Sequence, residues 1–150
     1  MGIEKLKIFV SGKEDELQNE RETVRDLIIT MGYEPKGSED RSASGMSIVD
    51  KYHKELYESD IYVGIFGKID SPPSLEEFDY ALEIGRPRLV FIKDVEEREP
   101  MVQDFINKMK DGRIEVSYRK FAHVIHLRDE VRNSIIETVT ERFRRFKGEA

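Results

Sequence analysis

Glu77 is the carboxylate of this sequence that is best placed for chemistry. It closes the run Ser74-Leu75-Glu76-Glu77, at the start of a helix predicted over 74–84. At about 100° per residue, a helical wheel puts Glu77 on the boundary between the buried and exposed faces, beside Ile84. The buried face of that wheel holds Phe78, Ala81, Leu82 and Gly85, and the solvent face holds Glu76, Asp79, Tyr80 and Glu83. A partly desolvated carboxylate at such a boundary can do chemistry.

Ser74 and Glu77 also have the spacing of a capping box, which is a structural role. Ser11-Gly12-Lys13-Glu14 has the same Ser-x-x-Glu spacing, where a predicted strand turns into a predicted helix. Backbone N–H groups and the helix dipole at such a turn can hold a phosphate or a polar sugar. The segment has neither a Walker A loop nor a GxGxxG fingerprint. Both interpretations, a cap alone and a cap with a ligand contact, stay open for Ser11 and Gly12.

The remaining polar residues give a weaker pattern. Asp94 follows a predicted strand at its carboxyl end, whereas Asp60 precedes one and is expected to cap or pair. The three histidines, His53, His123 and His126, have no metal-binding spacing, and the chain has no Cys. We therefore expect no metal site and no cofactor.

The composition excludes several classes of partner. The formal charge is −6 and the pI is near 5.2, which gives no general attraction to nucleic acid or to anionic lipid. No stretch approaches the roughly 20 apolar residues of a membrane span, and the short apolar run at the N-terminus does not suit a signal peptide. We expect a cytoplasmic protein that binds neither nucleic acid nor membrane, with residues 1–150 as one domain.

Strands and helices alternate along the predicted pattern. Strands are predicted at 6–10, 33–35, 61–66 and 89–92, and a strand or two short strands within 114–127. Helices are predicted from about 17 to 31, after Ser44 or Ser47, from 74 to 84, from Pro100, and around Val131 to Phe146. Such alternation favours a three-layer α/β fold with a mostly parallel, flavodoxin-like five-stranded sheet in the order 2-1-3-4-5.

That strand order predicts where a ligand would lie. The order reverses between the first and third strands, and ligands bind outside the carboxyl ends of strands at such a switch point. The crevice would be flanked by Ser11-Gly12 on one side and by the segment from Gly67 to Ser74 on the other. Ser11, Gly12, Gly67 and Ser74 are therefore the predicted ligand-binding residues.

Several segments, taken in order, resemble a known family. They are Leu6–Ser11, Glu20-Arg21, Gly32–Pro35, Ser59–Gly67, Glu76–Ala81 and Gly85-Arg86-Pro87. Together, over roughly residues 6–95, they resemble a prokaryotic TIR-like domain family, domain of unknown function 4062. That family is similar in fold to TIR domains and to nucleoside 2-deoxyribosyltransferases.

The resemblance to the transferases implies a role for Glu77. Their nucleophilic glutamate follows a Thr by three residues and precedes by eight the Gly of a Gly-Lys-Pro turn. Ser74, Glu77 and Gly85 keep both intervals, with Arg86 in place of the Lys. This sequence departs from the pattern at Asp79, where a Gly is expected, and at Ser71-Pro72-Pro73, where Asp-x-Gly is expected.

The implied chemistry is cleavage or transfer at an N-glycosidic bond of a nucleoside, nucleotide or NAD-type ligand. Glu77 would meet the cationic sugar carbon as the base departs, and Asp70, Asp79 or Asp94 would give the base its proton. Related transferases complete their sites across subunits, which implies a homo-oligomer. The alternative is a non-catalytic TIR-like signalling or assembly module.

Overall fold

Five strands alternate with five helices in the part of the chain that this computed structural model describes, residues 2–37 and 47–148. The strands are β1 (Lys7–Ser11), β2 (Glu34–Lys36), β3 (Ile61–Phe66), β4 (Arg88–Lys93) and β5 (Tyr118–Phe121). The helices are α1 (Gln18–Thr30), α2 (Ile48–Tyr57), α3 (Pro72–Glu83), α4 (Pro100–Lys110) and α5 (Val124–Phe146).

The strands form one sheet in the order β2-β1-β3-β4-β5, and every neighbouring pair is parallel. The predicted order and the predicted flavodoxin-like α/β class are confirmed. The order reverses between β1 and β3, where Ser11 pairs with Gly64 in register. The switch point therefore lies at the carboxyl ends of these two strands.

The alternation of side chains along β3 makes the sheet the middle of three layers. All six residues of β3 are buried, as expected for a central parallel strand covered on both faces. Ile61, Val63 and Ile65 pack on the side of α1 and α5, and Tyr62 and Phe66 pack on the side of α2, α3 and α4. Each such side chain contributes about 1.5–3 kcal/mol of hydrophobic stabilisation.

The segment 114–127 is where the strand prediction was partly wrong. Only Tyr118–Phe121 forms a strand, and Val124 and Ile125 already belong to α5. The last helix thus begins seven residues before Val131. His123 ends the strand-like stretch because it is the N-cap of α5, with extended backbone angles.

Two helices bury less than their sequence pattern predicted. Phe143 and Phe146 are 60% and 89% exposed, because α5 extends beyond the apolar core that covers Val131 and Ile135. Leu82, predicted on the buried face of α3, is 59% exposed.

The described helices include none that is both long and apolar enough to span a membrane.

Gly37 allows close backbone packing between the segment after β2 and the end of β1. Gly37 follows β2 with φ of 86°, and a Cβ there would strike the backbone oxygen of Val10. Arg21, buried on α1, donates to the carbonyls of Val10, Gly12 and Gly37. The ends of β1 and β2 are therefore held together by one guanidinium.

The next helix, α2, is capped by Ser47, whose side chain accepts from the Asp50 N–H, while Ser44 lies outside the described residues.

Candidate functional site

Glu77 contacts the sheet at the switch point. Ser11, the last residue of β1, donates its hydroxyl hydrogen to Glu77 Oε1 over 2.7 Å. Both side chains are buried, with 1% of Ser11 and 6% of Glu77 exposed. A buried carboxylate needs such donors, because desolvation otherwise penalises its charge. The Glu77 side chain is thus held by a residue 66 positions away in the chain.

The start of α3 explains why Glu77 is free of a capping role. The helix begins at Pro72, and Ser71 is its N-cap, accepting from the Ser74 N–H at 3.4 Å. Proline suits the first helical position because its φ is already helical and it has no N–H to satisfy. Ser74 therefore lies inside the first turn, its hydroxyl 2.7 Å from that of Ser71. The capping box predicted for Ser74 and Glu77 is wrong.

The capping box predicted at Ser11 and Glu14 is also wrong. Helix α1 begins only at Gln18, with Leu17 at the N-cap position and no side-chain cap. Ser11 remains in β1 and directs its hydroxyl toward α3.

Tyr62 brings a second hydroxyl group to this region. It is fully buried on β3, and its ring lies over Gly64, where a Cβ would come within 2.6 Å of the phenol oxygen. Burial raises the pKa of Tyr62, the nearby Glu77 raises it further, and Ser11 opposes the rise. Among the described residues the phenol oxygen has no hydrogen-bond partner of acceptable geometry, although Ser11 is near enough to oppose the rise in the pKa of Tyr62. Tyr62 is therefore a neutral hydroxyl beside the Ser11–Glu77 pair.

Tyr52, on α2, lies near enough to Glu76 and Glu77 to be influenced by their charges. Its side chain is almost completely buried in the layer beneath α3. Burial raises the pKa of Tyr52, and the charges of Glu76 and Glu77 raise it further.

Sequence reasoning missed both Tyr52 and Tyr62, because each lies in an apolar pattern that buried packing explains. The one available signal was the pairing of a phenol with Gly64 in the otherwise bulky strand β3.

The predicted aspartates are placed apart from Glu77. Asp79 and Asp94 are exposed, and no hydrogen bond or ion pair of the described residues joins either one to Glu77. Asp79 influences Arg88 on β4 instead. Asp70 is occupied at the start of α4, where its Oδ1 accepts from the Val102 N–H at 2.8 Å. Their proposed role as acids stays a prediction.

The loop after β3 is held by another carboxylate. Glu16 accepts from the N–H groups of Lys68 and Ile69 at 2.6 and 2.9 Å, and its side chain lies where a Cβ on Gly67 would be. A Cβ on Gly12 would lie 3.2 Å from the carbonyl oxygen of Ile65, which is a tight contact with backbone. The two glycines therefore leave room for the close approach of β3 at Gly12 and for the Glu16 side chain at Gly67. Ligand binding by them stays a prediction.

A small cavity lies beside these loops. Its volume is about 10 Å³, room for at most one water molecule, and Lys13, Gly67, Ser71 and Ser74 contribute to its lining. It brings the segment after β1 and the start of α3 to one place, as the switch-point argument predicts.

The histidines lie elsewhere. His53 stacks on Tyr80, with ring centroids 4.0 Å apart, while His123 and His126 are at the start of α5. In the described ranges no three His, Asp or Glu side chains converge in a way that could hold a metal ion.

The family comparison decides where this chain belongs. The model of the family described as domain of unknown function (DUF4062) matches residues 7–136. The chain belongs to the DUF4062 family. None of the curated proteins matches it. The turn Gly85-Arg86-Pro87, which resembles the Gly-Lys-Pro turn of the transferases, has a structural role in this DUF4062 chain. Arg86 donates hydrogen bonds to the carbonyls of Tyr57, Ser59 and Ile84.

Solved structures resemble this DUF4062 chain in fold. The CMP N-glycosidase BcmB of Clostridium botulinum has a TM-score of 0.65 at 12% identity, covering 85% of this chain and 98% of that one. A de novo designed Rossmann 2x3 fold protein has a TM-score of 0.54 at 15% identity, with 89% and 91% covered. The TIR domains of the activated Roq1 resistosome have a TM-score of 0.53 at 19% identity, with 83% and 80% covered. N-glycosidase-like and TIR-like proteins therefore share this fold.

Proposed function

We propose that this chain binds a nucleoside, nucleotide or NAD-type ligand and cleaves or transfers its N-glycosidic bond, with Glu77 as the reacting carboxylate. The observation that carries the proposal is the buried 2.7 Å hydrogen bond from Ser11 to Glu77 at the switch point. A glutamate that served only as a helix cap would bond to the start of its own helix. Glu77 instead bonds to the end of a neighbouring strand, where ligands of such sheets bind.

The hydroxyls around Glu77 support the proposed chemistry. Ser11 fixes one carboxylate oxygen by a hydrogen bond, and the phenols of Tyr52 and Tyr62 lie near enough for the charge of Glu77 to raise their pKa values. Because these hydroxyls are neutral, the Glu77 carboxylate is the negative charge that faces the cationic sugar carbon. Preorganised charge of this kind, in a site that excludes water, contributes strongly to catalysis.

The proposed reaction balances with water as the second substrate. The bond between the anomeric carbon and the base nitrogen breaks, and its electron pair leaves with the base, which takes up a proton. If Glu77 only stabilises the sugar cation, water adds to the anomeric carbon and releases a proton. If Glu77 attacks, its oxygen forms an ester bond to the anomeric carbon, and water then displaces the carboxylate, breaking that ester bond and releasing a proton. In a transfer reaction a second base takes the place of water. Solvent supplies the proton for the leaving base unless Asp79 or Asp94 approaches once a ligand is bound.

The fold likenesses concern the fold and do not decide the substrate class. One structure of similar fold is, by its printed name, a CMP N-glycosidase, and others are TIR domains of a resistosome. Because identities are below 20%, they support the fold alone, and the chemistry depends on the residues around Glu77. A homo-oligomer remains part of the proposal.

A substrate panel tests the proposal. The chain is incubated with nucleosides, nucleoside monophosphates and NAD, and released base is detected by chromatography, with Glu77→Gln in parallel. Release from at least one class that disappears in Glu77→Gln supports the proposal and names the substrate. Absence of release from every class would leave the non-catalytic TIR-like module as the better account.

A further inference from the structure

Two neighbouring backbone N–H groups of the loop after β3 donate to one carboxylate. Lys68 donates to Glu16 Oε2 over 2.6 Å, and Ile69 donates to Glu16 Oε1 over 2.9 Å. Each oxygen of the carboxylate therefore takes one N–H of the pair. Successive backbone N–H groups that converge in this way form a concave site of the kind that binds anions such as phosphate. Glu16 thus occupies an anion-binding feature of the loop.

The next N–H group along the loop is also taken by a carboxylate. Asp70 donates its backbone N–H to Glu99 Oε1 over 2.8 Å, and the Glu99 N–H donates to the Lys68 carbonyl over 2.9 Å. Three consecutive N–H groups just beyond the carboxyl end of β3 are therefore bonded to side chains of the chain itself. A phosphate that approached them would have to displace Glu16 or Glu99.

Glu16 is held in place by the turn that precedes α1. The Leu17 N–H donates to the Lys13 carbonyl over 2.9 Å, and the Leu17 side chain is buried in the core. Because its neighbour is anchored, Glu16 extends from a fixed backbone position after β1 to the loop after β3. Its carboxylate lies where a Cβ on Gly67 would be, so the glycine leaves the room that Glu16 needs.

This contact lies at the switch point, at the same end of the sheet as Glu77. The loop leads directly into α3, and Gly67 and Ser74 line the same small cavity. Ligands of such sheets bind outside the carboxyl ends of the strands, and backbone N–H groups there commonly hold their phosphates. In this chain the N–H groups of the β3 loop bind carboxylates instead.

The charge of Glu16 also acts against a phosphate. A phosphate group carries about −1.5 to −2 charges near neutral pH, so it would meet a like charge at this loop. Lys13 lines the small cavity and Lys68 belongs to the loop, and both cations would otherwise attract an anion. A repulsive group gives specificity by weakening the binding of the wrong ligand.

We propose that Glu16 is a specificity-determining residue that excludes phosphate from the switch point, so that the ligand of the Glu77 site is a nucleoside and not a nucleotide or NAD. The choice of substrate rests on the proposed function of Glu77. The exclusion of phosphate is a property of the loop and is measured separately.

A phosphate titration tests the exclusion without any turnover. The ¹⁵N-labelled parent, titrated with inorganic phosphate, should show no saturable amide shift at Lys68 or Ile69. Glu16→Ala uncovers both N–H groups and should give saturable shifts at these two amides. Glu16→Gln loses the charge but keeps one acceptor, so it should bind phosphate more weakly than Glu16→Ala.

Asp15→Ala is the matched control. It removes the same charge from an exposed side chain of the same turn and should behave as the parent. Thermal melts check that each variant is folded, and if Glu16→Ala is not, Glu16→Gln decides by the same shifts. Saturable shifts at Lys68 and Ile69 in the parent, or none in the folded Glu16 variants, would overturn the inference.

Base release tests the choice of substrate. The kcat/KM of the parent should be higher for a nucleoside than for its 5′-monophosphate. Glu16→Ala should reduce that preference at least about tenfold, mainly by lowering the KM of the monophosphate. An equal or reversed preference in the parent would overturn the inference. If neither compound releases base, the proposed function fails, and the phosphate titration still decides whether Glu16 excludes phosphate.

Discussion

The starts of α3 and α5 have polar pairs at the same spacing, yet the two pairs do different things. At α5, His123 Nδ1 accepts from the His126 N–H at 3.3 Å, and His126 Nδ1 accepts from the Ala122 N–H at 3.4 Å. The two histidines thus form a reciprocal cap. At α3, Ser74 and Glu77 form no such cap, and Glu77 bonds to β1 across the layer.

The difference lies in where each helix begins. His123 is the N-cap itself, so the residue three positions later lies within reach of the unsatisfied N–H groups. At α3, Ser71 is the N-cap, and Ser74 is already the third helical residue. Glu77 then lies in the second turn, where the backbone N–H groups bond within the helix. Because Glu77 does not cap its own helix, its side chain can bond to another element. At α3 that bond is to Ser11 at the switch point.

Removing the hydroxyl of Ser11 should give the largest loss of stability in this comparison. Ser11→Ala removes a hydrogen bond to the buried Glu77 carboxylate, so the free energy of unfolding should fall by about 1–3 kcal/mol. Urea denaturation measures the change. Ser117→Ala, at an exposed serine, is the control and should be silent. Equal stability of the two variants would mean that Glu77 does not depend on Ser11.

The two serines of α3 should differ in the same assay. Ser71→Ala removes the N-cap and should lower the free energy of unfolding by about 1 kcal/mol. Ser74→Ala should cost less, because among the described residues the Ser74 hydroxyl hydrogen-bonds only to that of Ser71. A larger loss in Ser74→Ala would place the start of α3 at Ser74 and restore the capping box.

His123 tests the cap at α5. His123→Ala should lower the free energy of unfolding by about 0.5–1 kcal/mol, whereas His123→Asn should restore it, because Asn is a strong N-cap residue. Thermal melts of the two variants at one pH make the comparison. If both variants matched the parent, the histidine pair would have no capping role.

The smallest effects are expected at the exposed aspartates. Asp79→Asn and Asp94→Asn should each change the free energy of unfolding by less than about 0.5 kcal/mol, as is usual for surface substitutions. Base release should persist in both. A large loss of release in one variant with unchanged stability would identify that residue as the acid for the leaving base.

The sheet could be predicted from the sequence because its signals are local. The apolar run Ile61–Phe66 and the Pro and Gly residues between elements fix strands, helices and their alternation. Parallel order then follows from general rules for crossovers. The end of the core along α5 could not be predicted, because Phe143 and Phe146 keep the helical pattern beyond the last turn that meets the sheet.

The neighbourhood of Glu77 could be predicted only in part. The switch-point rule placed Ser11 and the start of α3 at one edge, and the structure brings Ser11 and Glu77 into contact. The contributions of Tyr52 and Tyr62 depend on how α2 and β3 pack against α3, for which the sequence offers only the pairing of Tyr62 with Gly64. The helix start at Pro72 was missed because Ser71 and Ser74 are both plausible N-cap residues, and only the register of the first turn separates them.

The most direct test of the central claim compares Glu77→Gln with its neighbour Glu76→Gln, measuring base release and unfolding in both. Glu76 is exposed and one position away. Glu77→Gln should lower turnover at least about a hundredfold, because it removes the charge that meets the sugar cation, a contribution of about 3 kcal/mol or more. Its free energy of unfolding should change by no more than about 1 kcal/mol, since the amide oxygen still accepts from Ser11. Glu76→Gln should match the parent in both. Equal base release from the parent and both variants would contradict the account.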